Sequence, residues 1–153
     1  MWTEVNIGKW RGKSKTLPQI LVADPDWFFW ALDEEVFKGA LSIEAQKLER
    51  RARAIKLPSA TVGTQCVQHW ISHDGKYARF DIIEMSQGPH HGSSTENRSA
   101  TLDMKFPRRI KQYDKLGCKL LMKSFKYHWF DGKPFTKARV EAFFDNTANF
   151  ENP

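Results

Sequence analysis

Between residues 107 and 130 the chain repeats basic and apolar residues on a helical period, and this stretch restricts the fold more than any other. Arg108, Lys111, Lys115, Lys119, Lys123 and Lys126 recur at three- and four-residue spacing, with Arg109 beside them. At about 100° per residue these side chains fall within an arc of roughly 120°. Ile110, Tyr113, Leu116, Leu120 and Leu121 occupy the adjoining sector. The pattern predicts a single helix, ended by Asp131-Gly132, that buries one face and presents lysines on the next. Pro107 suits its first turn, where a missing N–H leaves no intrahelical bond unmade. Like charges at i,i+4 destabilise an isolated helix by about a few tenths of a kcal/mol per pair. A polyanionic partner would relieve that repulsion; a solvated face is the bland alternative.

The charge is localised. Residues 105–139 hold 11 Lys or Arg against Asp114 and Asp131, whereas residues 1–104 balance at 13 basic and 13 acidic. The formal net charge of +6 is therefore a basic segment on a neutral body, and nucleic acid is the default partner. No apolar stretch approaches the roughly 20 residues of a membrane span, so no membrane partner is expected. With 41% hydrophobic residues, 11 Phe and 6 Trp, the chain can build a sizeable core. Met1 is followed by polar and charged residues, without a secretory pattern, and Cys66 and Cys118 are isolated. A reduced, cytoplasmic setting is the expectation.

Residues 5–15 read as a small hairpin around glycines, and residues 17–23 as a short helix capped by Thr16. Asp24-Pro25 then starts a second helix to about Phe37. This helix carries Trp27, Phe28, Phe29 and Trp30 together, too many aromatics for one stripe, so burial on more than one side is expected. A third helix spans residues 42–55, with Lys47, Arg50, Arg51 and Arg53 outward. Residues 66–73 and 76–85 flank Asp74-Gly75, a strong hairpin signal. Residues 86–99 read as a mobile loop, 100–106 as a third strand, and Thr136 as the cap of a last helix ending near Phe144. The expected class is α+β: a helical N-terminal third, then a small antiparallel sheet packed against a long basic helix. Residues 1–58 and 59–153 form two regions or one compact domain.

Ile7-Gly8-Lys9-Trp10-Arg11-Gly12-Lys13, then Leu17-Pro18, then Asp24-Pro25-Asp26-Trp27 with Trp30 and Leu32, resembles the module at the C-terminal end of exonuclease X-like enzymes, also found alone in short bacterial proteins. The resemblance covers residues 5–35. It implies an accessory role near nucleic acid and carries no chemistry, because the exonuclease's acidic active site lies in another domain. Read physically, Lys9, Arg11, Lys13 and Lys15 alternate with Trp10 and can track a backbone beside a stacking ring, although a Trp more commonly anchors a hairpin.

Catalytic patterns are weak. Residues 8–14 read G-x-x-x-G-K-S, one residue short of a phosphate-binding loop and without its preceding buried strand. Asp81 on one expected strand and Asp103-Met104-Lys105 on the next form a degenerate two-carboxylate-and-lysine pattern of a Mg²⁺-dependent nuclease. His69 and His73 lie about 13 Å apart on a strand and cannot share an ion, and His90 and His91 have no ligand partners at useful spacing. No cofactor is expected. The sequence thus points to a non-enzymatic nucleic-acid-binding accessory protein. Its principal surface is the basic ridge, with Lys9, Trp10, Arg11, Lys13, Arg50, Arg51 and Arg53 secondary. The rival reading is a phage or mobile-element protein–protein module that docks on a nucleic-acid-handling complex through Trp27, Phe29, Trp30, Trp129 and Phe130. The degenerate nuclease is the second alternative.

Overall fold

Thr16 is where the N-terminal strand pair turns into helix. In a computed structural model that describes residues 1–58, 63–88, 92 and 95–153, β1 (Glu4–Val5) pairs antiparallel with β2 (Lys15–Thr16) around a 3₁₀ turn at Gly8–Trp10. The Thr16 amide donates to Gln19 Oε1 at 3.1 Å, closing a capping box that starts α1 (Leu17–Ala23). Asp24, buried at the break, accepts the Trp27 amide at 3.1 Å and starts α2 (Pro25–Asp33). Phe28 and Phe29 are both fully buried, so α2 is covered on more than one side, as its aromatic density requires. It stops short of the expected Phe37. Glu35 takes a positive φ of 53°, and the turned chain returns Phe37 against Trp27 at 5.9 Å. Gly39 precedes α3 (Ala40–Ala52).

A three-stranded antiparallel sheet follows, in the order β4-β3-β5. β3 (Gln65–Ile71) and β4 (Tyr77–Glu84) join through Asp74-Gly75, where Gly75 supplies the φ of 81° that the turn needs. The third strand is not the expected one. β5 is Thr95–Ser99, inside the stretch that reads as loop, and Arg98 ties it to the Gln87 and Gly88 carbonyls. Its polar residues give no alternating signal, because ladder hydrogen bonds hold it rather than a buried face. Residues 100–106 form no strand; Leu102 makes an isolated bridge to Ile55, which also bridges Phe150. Leu102 is buried at this bridge, Met104 in the turn that follows and Phe106 at the start of the next helix. His90 and His91 lie outside the described residues.

The single basic helix is two helices. α4 (Phe106–Ile110) ends, the chain turns, and α5 (Lys115–Phe130) begins with Asp114 as its cap, accepting the Gly117 amide at 2.8 Å. A Cβ at position 117 would stand 2.2 Å from Asp114 Oδ2, so a larger residue there displaces the capping carboxylate. The break shifts the helical phase. α5 buries Gly117, Cys118, Leu121, Met122 and Phe125, while Ile110, Tyr113 and Leu116, expected in the core, are exposed. α5 crosses β4, where the Phe80 amide donates to Ser124 Oγ at 3.4 Å. Asp131, left-handed at φ 52°, ends it, and α6 (Lys137–Asp145) follows under a Thr136 cap. Leu21, Phe28 and Leu48 of the N-terminal third share one core cluster with Phe80, Phe125, Phe144 and Phe150. The fold is α+β as expected.

Arg108 holds this junction together. Its guanidinium, 3% exposed, donates to Asp26 Oδ1 at 2.6 Å and to the Asp26 carbonyl at 2.9 Å, and reaches Asp33 Oδ2 at 3.4 Å. Asp26 Oδ1 also accepts the Asp114 amide at 3.1 Å. Removing one partner of a buried pair strands the other charge. Asp26→Ala is therefore expected to destabilise the protein by about 2–4 kcal/mol. Asp33→Ala, whose carboxylate is 50% exposed, should change stability by less than about 1 kcal/mol. Urea unfolding of both variants checks the contrast.

Candidate nucleic-acid interface

Three of the α5 lysines, Lys115, Lys119 and Lys123, project into solvent, as do Arg109 and Lys111 before the helix. Lys126 is half-buried, its ammonium 5.1 Å from the centre of the Phe135 ring. At 1.5 Å per residue, Lys115 to Lys126 spans about 16 Å. That is the length of roughly five stacked nucleotides at 3.4 Å each. Lys119, Lys123 and Lys126 line one shallow depression with Val22, Met122 and Phe135. Arg108 is withdrawn from this surface, because burial and two carboxylates already take its charge. The ridge is thus shorter than the sequence period implies and is carried mainly by lysine.

The structure brings the Gly-Lys turn to the start of this ridge. Lys9 and Lys115 line one depression of 370 Å³, together with Asp24, Asp26, Trp27, Trp30 and Tyr113. Lys9 pairs with Asp24, which anchors the turn to the α1–α2 break. Trp10 is an anchor more than an open ring. It packs edge-on against Trp27 at 6.0 Å, its indole nitrogen is buried, and Lys9 and Lys13 lie 5.2 and 6.0 Å from its ring centre. Arg11 and Lys13 are exposed.

The arginines of α3 do not join the ridge as a group. Arg50 is exposed, whereas Arg51 is buried and donates to the Phe144 carbonyl at 2.7 Å. Side-chain burial removes Arg51 from phosphate contact. Arg53 pairs with Asp103 at 3.3 Å, and Arg109 approaches the same carboxylate at 3.9 Å.

The alternative sites are built differently from what their sequence patterns require. Asp103 lies on no strand, so it does not sit beside Asp81 across a sheet. Asp81 accepts the Trp70 indole at 2.9 Å, while Asp103 serves Arg53 and the Lys105 amide. Among the described residues, no group of three or more His, Cys, Asp or Glu side chains stands close enough to hold a metal ion. Burial pushes the Cys118 thiol up to about 12 and raises that of Cys66, so neither is poised as a nucleophile. Of the aromatics expected on a docking face, Phe29 is fully buried, and Trp27, Trp30, Trp129 and Phe130 pack against the core. A depression of 680 Å³ beside Trp129 and Phe143 has Lys56 as its one cation among the described lining residues. No helix of the described residues is long and apolar enough to cross a membrane.

No family model, curated protein or solved structure matches the chain.

Two features of this surface were hidden in the sequence. Asp26 looks like an ordinary first-turn acid, and only the fold makes it the acceptor for Arg108 and Asp114. Tyr113 reads as a core residue on an unbroken helix but stands 51% exposed. Its signal was local: Asp114 is a favoured N-cap, which starts a helix at Lys115 and leaves Tyr113 in the preceding turn.

Beneath α4, His69 stacks on Phe106 at 3.9 Å and contacts the Tyr77 hydroxyl through Nδ1 at 2.7 Å. Burial, reinforced by the Arg109 charge, pushes this imidazole down to about 4. The folded protein therefore holds it neutral, while the unfolded chain takes up a proton near pH 6.5. Stability conferred by His69 is complete above that pH and falls as pH drops toward 4, by about 2 kcal/mol between pH 7.5 and 5. Urea unfolding at those two pH values should show that loss in the parent protein, and His69→Gln should lose much less.

Proposed function

We propose that this chain is a non-enzymatic accessory protein that binds nucleic acid through its phosphates. The surface is the α5 lysine face, extended by Arg109, Lys111 and the turn at residues 8–13. The observation that carries the reading is the row of exposed lysines along α5, Lys115, Lys119 and Lys123, with the Gly-Lys turn brought to its start. Two basic segments from opposite ends of the chain meet there, in a molecule whose net charge of +6 is concentrated in residues 105–139. Lysines left in water beside each other repel, and a string of phosphates removes that repulsion while releasing condensed counterions. Contacts of this kind position a backbone and read little sequence. The resemblance of residues 5–35 to the exonuclease X-like module favours the same accessory role. A protein partner is the second reading, favoured by the exposure of Ile110, Leu116 and Tyr127 along the α4–α5 surface.

Charge reversal separates them. Lys115→Glu with Lys119→Glu alters two exposed side chains and should leave the fold intact. It should weaken binding to labelled DNA or RNA roughly 50-fold at about 0.1 M salt, alike for all sequences. Fluorescence anisotropy measures this, and unchanged affinity in a folded variant would rule out the ridge.

A further inference from the structure

The depression at the start of α5 differs from the rest of the ridge in what lines it. Three of its residues are aromatic, Trp27, Trp30 and Tyr113, and two are acidic, Asp24 and Asp26. Lys9 and Lys115 complete it. Two carboxylates make it a poor seat for a phosphate. Their charges are already met, Asp24 by Lys9 and Asp26 by Arg108, so they do not repel a neutral group that donates hydrogen bonds. Its volume of 370 Å³ falls at the small end of the roughly 300–1,000 Å³ of small-molecule sites.

We propose that this depression receives one unpaired base of a single-stranded nucleic acid, one carrying an exocyclic amino group, while Lys115 holds a neighbouring phosphate. The inference rests on the phosphate-binding reading of the ridge and adds the strand type and the base chemistry to it.

Tyr113 supplies the platform. Its ring lies 5.3 Å from the Arg108 guanidinium, which is itself fixed by Asp26, and the ring remains 51% exposed. A ring held in place by a buried cation loses little freedom when a base stacks on it. Stacking on an aromatic side chain contributes about 1–3 kcal/mol per base, which is a factor of roughly 5 to 150 in affinity. Asp26 supplies the acceptor. Among the described residues, both hydrogen bonds that reach its carboxylate end on Oδ1, so Oδ2 is available to an amino group, as a carboxylate accepts from cytosine N4 elsewhere. Thymine and uracil carry no such group. Duplex bases are stacked and paired, and cannot enter without being extruded.

Anisotropy titrations of the whole protein against oligo-dC, oligo-dT and a hairpin duplex, at one salt concentration, test this. The expected order is oligo-dC tightest, oligo-dT weaker by about fivefold or more, and duplex no tighter than oligo-dT. Tyr113→Ala should lower oligo-dC affinity at least about fivefold and leave duplex binding unchanged, and Tyr113→Phe should restore it by keeping the ring. Equal binding of all three polymers, or an unchanged oligo-dC affinity in Tyr113→Ala, overturns the base site and leaves the ridge standing. Absence of binding to any polymer at low salt overturns both. Circular dichroism of each variant establishes that it is folded, so that a loss is read as a loss of contact.

Discussion

The buried Arg108–Asp26 pair is the contact on which the arrangement of the rest depends. Asp26 Oδ1 accepts from the guanidinium and from the Asp114 amide. One carboxylate oxygen therefore ties the start of α2 to both sides of the break between α4 and α5. That break sets the phase of α5, turning Leu121 and Phe125 inward and Lys115, Lys119 and Lys123 outward. It also places Lys115 across from Lys9, which the neighbouring Asp24 holds. The contact that positions the surface thus uses up one cation of the apparent ridge.

Arginine and lysine divide the work. Arg51, Arg53, Arg98 and Arg108 hold backbone carbonyls or carboxylates, and Arg51 and Arg108 do so from within the core. Planar guanidinium forks suit such multidentate contacts and lose less hydration on burial than an ammonium. The lysines at 111, 115, 119 and 123 remain in water. They are flexible point charges that can follow a polyanion of any sequence, consistent with contacts to a backbone and not to base edges.

Much of the local structure was legible in the residues. Thr16 and Gln19, Asp24-Pro25, Asp74-Gly75 and Thr136 each start or turn an element through a hydrogen bond or a φ preference that the residue type carries with it. Elsewhere the fold departs from the local pattern. β5 is held by ladder bonds and by Arg98, so its sequence has no apolar alternation to read. Residues 100–106 alternate because the core takes Leu102 from a bridge, Met104 from a turn and Phe106 from the first position of α4, and alternation alone does not distinguish that from a strand. The ridge has helical spacing throughout and so implies one continuous helix, whereas the Asp114 cap and its contact with Asp26 outweigh the period. Burial of Arg51 and Arg108 has no local signature at all. It follows from partners, Phe144 and Asp26, that are remote along the chain.

Lysine footprinting reads the binding surface residue by residue. The protein is acetylated briefly with and without a saturating oligonucleotide, and the modification of each lysine is read by mass spectrometry. Protection of Lys9, Lys111, Lys115, Lys119 and Lys123 together is expected, with Lys38 and Lys56, which line other depressions, reacting as before. Protection of Lys38 or Lys56 in place of the α5 lysines would contradict the assigned surface, as would protection of the helix with Lys9 left fully reactive.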